Sequence, residues 1–169
     1  MSESDPNKGM PQRAQVRFDC SGKAVGKMRN ELSVFMKLPF QEGPFELATD
    51  EGSFHGGDAT APPPLALFVA GLTGCIMTQI RAFAKRLNVS LKDLDVETRV
   101  VWDWQAKGRV YETAPHSFEI DVLIDSADTR EKTINLIEAA KRGCFLEQTL
   151  GQINTIRHRM KTDDGWIDV

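Results

Sequence analysis

The chain has 169 residues, 41% hydrophobic and 27% charged, enough for one ordinary domain with its own core and too apolar for disorder. Its 21 Lys and Arg against 24 Asp and Glu leave a net charge of −3, which argues against nucleic-acid binding, since that favours a basic face. Three cysteines are too few for a disulfide framework, and three histidines without CxxC or HxxxH spacing exclude the common zinc patterns.

Residues 1–12, with Pro6, Gly9, Pro11 and mixed charge, read as a disordered tail ahead of a single domain over 13–169. The polar start lacks the apolar stretch of a secretory signal. The expectation is a reducing cytoplasm, where a disulfide is transient and chemical. Partial alternation over Ala14–Cys20 predicts a strand, Ser21-Gly22-Lys23 a turn, and the period-two run Leu32, Val34, Met36, Leu38 a strand over Glu31–Phe40. Gly43-Pro44 turns the chain into a third short strand, Phe45–Thr49, completing an antiparallel meander.

Asp50–Ala61, with Gly52, Gly56 and Gly57, reads as a loop. Pro62-Pro63-Pro64 then opens a helix, where proline is tolerated because the first amides have no intrahelical partner. Leu65, Phe68, Val69, Leu72, Cys75, Ile76, Ile80, Phe83 and Leu87 carry the helix to about Asn88. Its first half is apolar all round, which predicts burial on every side. The uncharged centre Leu65–Met77 falls short of the roughly 20 apolar residues of a membrane span, so a core helix is expected. Strands follow over Asp93–Trp104 and Ser117–Asp125, joined by a loop over Gln105–His116. A helix over Thr129–Lys141, capped by Asp128 with Ile134, Ile137 and Ala140 inward, breaks at Gly143 and resumes over Phe145–Leu150. Ile153–Met160 reads as a last strand. The order predicts an α+β fold, and a dimer in which the partner's strands cover the long helix would supply the cover one small sheet cannot.

Two thiols are candidates for chemistry: Cys75 in mid-helix and Cys144 at the helix break. An unpaired cysteine is usually a small buried hydrophobe. On local chemistry Cys144, at a helix start behind Lys141 and Arg142, reads as the more acidic thiol, whereas desolvation in an apolar helix works against Cys75.

Gly56-Gly57, then Pro62-Pro63-Pro64-Leu65-Ala66-Leu67-Phe68-Val69-Ala70-Gly71-Leu72-Thr73-Gly74-Cys75, resembles the signature of the OsmC/Ohr family, and Ala139-Ala140-Lys141-Arg142-Gly143-Cys144 resembles its second cysteine segment. The resemblance spans about Gln15 to Met160. It implies an OsmC-like fold of antiparallel sheets around a long buried central helix, in an intertwined homodimer. It implies a thiol peroxidase of organic hydroperoxides in which Cys75 is oxidised to a sulfenic acid, Cys144 resolves it as a disulfide, and an external dithiol restores both. No metal or organic cofactor is implied, no nucleic acid or membrane partner is expected, and the substrate is a small apolar hydroperoxide.

In the family an arginine from the N-terminal strands, held by a glutamate ten residues before the first cysteine, keeps that cysteine ionised. Here that position is Leu65, and Arg29, with Lys23 as the other candidate, is the best match for the arginine. Phe145 stands where many members have proline. The missing glutamate feeds the alternative of an OsmC-fold small-ligand-binding or stress-related protein without peroxidase turnover. A third reading is a structural dimer whose cysteines are core packing. Cys20 reads as core, His55 as a loop histidine at a possible pocket rim, Glu147 as facing water, and Trp102 and Trp104 as covering the sheet.

Overall fold

The computed structural model describes residues 13–169; the expected N-terminal tail lies outside them. Its elements run β1 (Arg17–Ala24), β2 (Asn30–Leu38), β3 (Glu42–Thr49), α1 (Pro64–Arg86), β4 (Asp93–Lys107), β5 (Val110–Asp125), α2 (Arg130–Gly143), α3 (Phe145–Leu150), β6 (Arg159–Thr162) and β7 (Gly165–Asp168). The mixture is α+β as expected, with sheets β1-β2-β3, β4-β5 and β6-β7.

The chain divides into two compact units, one taking the chain up to Gly71 with Arg99–Ser117, the other Leu72–Thr98 with Phe118–Val169. In the first, β2 pairs antiparallel with both neighbours. Cys20, Val34 and Phe45 lie opposite one another, as do Gly22, Leu32 and Leu47, so alternate residues build one apolar face. That face is open within one chain: Phe18 is 53% exposed, Phe45 46% and Leu47 46%. The turn expected at Ser21–Lys23 is strand instead. The chain reverses over Val25–Arg29, where the Val25 N–H donates to the Arg29 carbonyl and Gly26 takes a φ of 100° that disfavours a side chain.

The core of the second unit forms where α1 meets α2. Ile76, Ile80 and Ala84 of α1 meet Leu136 and Ala140 of α2, together with Val89 and Cys144, and Leu94, Val96, Ile120, Val122 and Ile124 of β4 and β5 pack against them. Buried positions recur every four residues, Leu72, Ile76, Ile80 and Ala84, so α1 buries one stripe within its own chain. Within a single chain the helix is not covered on its other faces: Leu65 is 54% exposed. By length and composition α1 could cross a membrane, but its buried stripe belongs to a protein core. On α2 the buried residues are Leu136 and, as expected, Ala140, whereas Ile134 is exposed.

Three boundaries differ from expectation for local reasons. The loop expected over Gln105–His116 is strand, because Gly108, at φ 64°, lets the chain reverse within two residues. Pro115 is tolerated there because each strand of a two-stranded sheet has a free edge. Thr129 caps α2, its hydroxyl accepting from the Lys132 N–H at 3.3 Å, while Asp128 takes the Lys132 ammonium at 2.6 Å and the Ser90 N–H. The strand expected from Ile153 starts only at Arg159, after a stretch in which Asn154 donates to the Thr149 and Gln152 carbonyls.

Candidate functional site

Cys144 sits between two helices. Its backbone is extended (φ −78°, ψ 112°), ending α2 and capping α3: its N–H donates to the Lys141 carbonyl and its own carbonyl accepts the Gln148 N–H at 3.0 Å. The break lies against α1 because residue 143 has no side chain. A Cβ there would stand 2.6 Å from the Phe83 ring, closer than any real contact. Cys144 is 0% exposed, whereas Cys75, next to Ile76 at the margin of the buried stripe, is half-buried. The two residues, 69 apart in sequence, are both free thiols and lie in one packed cluster, near enough for Cys75 to bear on the Cys144 proton.

Burial pushes the Cys144 thiol up to about 11, and contact with Cys75 pushes the same way, against backbone N–H groups of Glu147 and Leu146 aimed at the sulfur. The expectation that Cys144 is the more acidic thiol is therefore corrected. The nearby Lys141 ammonium is engaged by Glu138 at 2.9 Å, and two N–H dipoles do not offset full desolvation. Glu147 is not a water-facing residue either: it is half-buried, and burial raises its carboxyl.

These states predict a labelling pattern. At pH 8 iodoacetamide is expected to spare Cys144, of which about one part in a thousand is thiolate. Because the folded value lies above that of a free thiol, the folded chain holds a proton that the unfolded chain releases. Stability from this group is complete below about pH 8.5 and is lost as pH rises through about 11. Peptide mapping after alkylation at pH 8 and pH 11 reads the first effect, and thermal melts across the same range read the second.

Arg29 closes the β1–β2 turn in the first unit. Its Nη1 donates to the Thr60 hydroxyl at 2.9 Å and to the Thr60 carbonyl at 3.2 Å, and two residues earlier Lys27 pairs with Asp58 at 2.6 Å. Thr60 belongs to the loop leading into α1, which is built around Asp50. That carboxylate is 1% exposed and accepts the Thr60 N–H and hydroxyl at 2.9 and 2.7 Å and the Glu51 N–H at 2.8 Å. These donors, led by Thr60, hold it below the usual carboxylate range. The Gly56-Gly57 pair now has a reason. Gly56 takes φ 78° behind a single 3₁₀ turn, Ser53–His55, and a Cβ on Gly57 would lie 1.9 Å from the Glu51 carbonyl oxygen.

The same unit holds a cavity of about 270 Å³ lined by Phe54, His55, Leu65, Trp102, Trp104 and Tyr111, with Asp103 and Thr113. Phe54 meets His55 edge to face at 4.8 Å, and Trp104 meets Tyr111 at 5.8 Å. His55 thus lines a pocket, and Trp102 and Trp104 face it too. Cys20, expected in the core, is exposed on β1. Among the described residues no group of three or more His, Cys, Asp and Glu is placed to hold a metal ion. Sequence reasoning missed Asp50 and Thr60. Their only signal is an acidic residue at the end of a strand and a hydroxyl at the end of a glycine-rich loop.

The model of the family described as OsmC-like protein matches residues 56–159, more than half of the chain and both cysteines. The chain belongs to that family. An OsmC-like hydroperoxide resistance protein from Jannaschia sp. CCS1 is 68% identical over 93% of this OsmC-like chain and 100% of its own, with a TM-score of 0.64. Two more distant structures share the fold. An OsmC-like protein from Mycoplasma pneumoniae is 13% identical, covering 81% of this chain and 89% of its own, with a TM-score of 0.62. An organic hydroperoxide resistance protein OsmC from Legionella pneumophila is 16% identical, covering 82% and 91%, with a TM-score of 0.56. No curated protein matches the chain.

Proposed function

We propose that this OsmC-like protein is a thiol peroxidase that reduces organic hydroperoxides through Cys75 and Cys144. The observation that carries the reading is that two free thiols share one packed cluster, one of them held protonated by burial. A thiol that keeps its proton cannot attack first, so the peroxidatic role falls to Cys75 and the resolving role to Cys144. The Cys75 thiolate attacks the peroxide oxygen distal to the organic group. The O–O bond breaks, the alkoxide takes a proton to leave as the alcohol, and Cys75 becomes a sulfenic acid. The Cys144 sulfur then attacks Cys75; its proton leaves with the sulfenic hydroxyl as water, and a disulfide remains. Two electrons from an external dithiol restore both thiols. Arg29 is assigned from the family resemblance as the cation that favours the thiolate, a role suited to a guanidinium because it stays charged.

The name of the Jannaschia relative, a hydroperoxide resistance protein, supports a peroxide-related role. The open apolar face at Phe18, Phe45 and Leu47 and the exposed Leu65 support a homodimer in which a partner covers them. The compartment we propose is the cytoplasm. The test treats the reduced protein with cumene hydroperoxide. The expected result is a loss of about two hydrogen atoms per chain and a Cys75–Cys144 peptide on mapping; unmodified thiols at stoichiometric oxidant defeat the reading.

One observation favours a second reading, a small-ligand-binding protein without turnover. Leu65, where peroxidases of the family place a glutamate, lines the aromatic cavity instead. On that reading, apolar compounds quench tryptophan fluorescence while both thiols survive peroxide.

A further inference from the structure

The first unit contains a buried acid whose position calls for explanation. Asp50 is 1% exposed, and among the described residues its hydrogen-bond donors, Glu51, Asp58 and Thr60, include no cation. A buried carboxylate survives when hydrogen bonds and nearby charge offset its desolvation. Backbone N–H groups of Glu51 and Asp58 and the charge of Lys27 contribute, but Thr60 supplies the leading hydrogen bonds and, through its hydroxyl, a link to a guanidinium. The Thr60 hydroxyl has a single proton and lies 2.7 Å from the Asp50 Oδ2, an acceptor, so it donates there. Its lone pairs are then left for Arg29, whose Nη1 stands 2.9 Å away and also reaches the Thr60 carbonyl at 3.2 Å. Carboxylate, hydroxyl and guanidinium form a series with one direction of donation, from Arg29 through Thr60 to Asp50.

We propose that Asp50, acting through Thr60, is the positioning residue that fixes the Arg29 guanidinium, in place of a carboxylate at residue 65, which here is Leu65. The inference rests on the reading of Arg29 as the cation of the peroxide reaction. The hydroxyl is the link that matters. With it, the charge of a buried acid is felt by the guanidinium across two short hydrogen bonds, each charge-assisted at one end. Without it, Arg29 keeps only a neutral carbonyl. The Lys27–Asp58 pair ties down the same turn but leaves the guanidinium itself free to rotate. Gly57 leaves the acid accessible to its donors, since a Cβ there would stand 2.9 Å from the Asp50 Oδ1.

The full-length chain tests this with two readouts: modification of Arg29 by phenylglyoxal, followed by peptide mass spectrometry, and the rate at which Cys75 is oxidised by cumene hydroperoxide across pH. Thr60→Val preserves shape and removes the hydroxyl; Thr60→Ser restores it. In Thr60→Val, Arg29 is expected to react about tenfold faster with phenylglyoxal and Cys75 oxidation to slow about tenfold, the scale of one hydrogen bond to a charged group. The pH midpoint of oxidation is expected to move upward, and Thr60→Ser to recover both rates. Unchanged Arg29 modification in Thr60→Val overturns the series while leaving the role of Arg29 intact. Oxidation of Cys75 at the wild-type rate in Arg29→Ala overturns that role, and the positioning role of Asp50 with it. Asp50→Asn is expected to behave as Thr60→Val does, and because Thr60→Val keeps the carboxylate and its N–H donors, a failure of Asp50→Asn to fold leaves the decisive comparison in place.

Discussion

A Cys144→Ser chain given one equivalent of cumene hydroperoxide is expected to acquire one oxygen atom on Cys75 and stop there. Serine keeps the size and the capping position of residue 144 between α2 and α3, but its hydroxyl cannot condense with a sulfenic acid. Dimedone should then tag Cys75, and peptide mapping should find no disulfide. The complementary Cys75→Ser chain is expected to lose peroxide consumption by roughly 10⁴-fold or more, the range produced by removing a catalytic nucleophile. The physical basis is the contrast between the two sulfurs: Cys144 is sealed from solvent and held as a thiol, whereas Cys75 lies at the edge of the buried stripe. A dimedone adduct on Cys144 in the Cys75→Ser chain would reverse the two roles.

Gly57→Ala is expected to destabilise the protein by about 3 kcal/mol, at the upper end for forcing a methyl into filled space. For a chain of this size that lowers the melting temperature by roughly 10 °C. The added Cβ would fall 1.9 Å from the Glu51 carbonyl oxygen and 2.6 Å from its carbon, and a backbone group cannot swing aside as a long side chain does. The loop would have to open where Asp50 gathers its donors, so the loss should be accompanied by faster amide exchange at Glu51 and Thr60. Gly52→Ala makes the control, since nothing lies within 4 Å of a Cβ there. Equal melting temperatures for the two variants would show that the close approach at residue 57 carries no weight.

What could be read from the sequence followed periodicity and the family motifs. Leu32, Val34 and Met36 marked β2, and the three- and four-residue spacing from Leu65 to Phe83 marked α1. The two cysteine segments marked the residues that the fold brings into one packed cluster. What could not be read was set by packing and by long-range partners. The strand through Gln105–His116 was hidden by Pro115 and by a turn only two residues long. The thiol state of Cys144 was hidden because Lys141, its neighbour in sequence, is engaged by Glu138, and because burial depends on α1. The surroundings of Arg29 were hidden because its partner, Thr60, lies 31 residues away in a loop that has no periodicity. Cys20 is exposed in a single chain because the face of β1 that carries it lacks cover there.

The packing of the two thiols in one cluster also bears on what competes with the proposed cycle. On that cycle a sulfenic acid formed on Cys75 has its resolving group within the same chain, an intramolecular step that a bimolecular one must outrun. Dissolved small thiols at ordinary abundance cannot outrun such a neighbour, so adducts with them should be scarce while Cys144 is present.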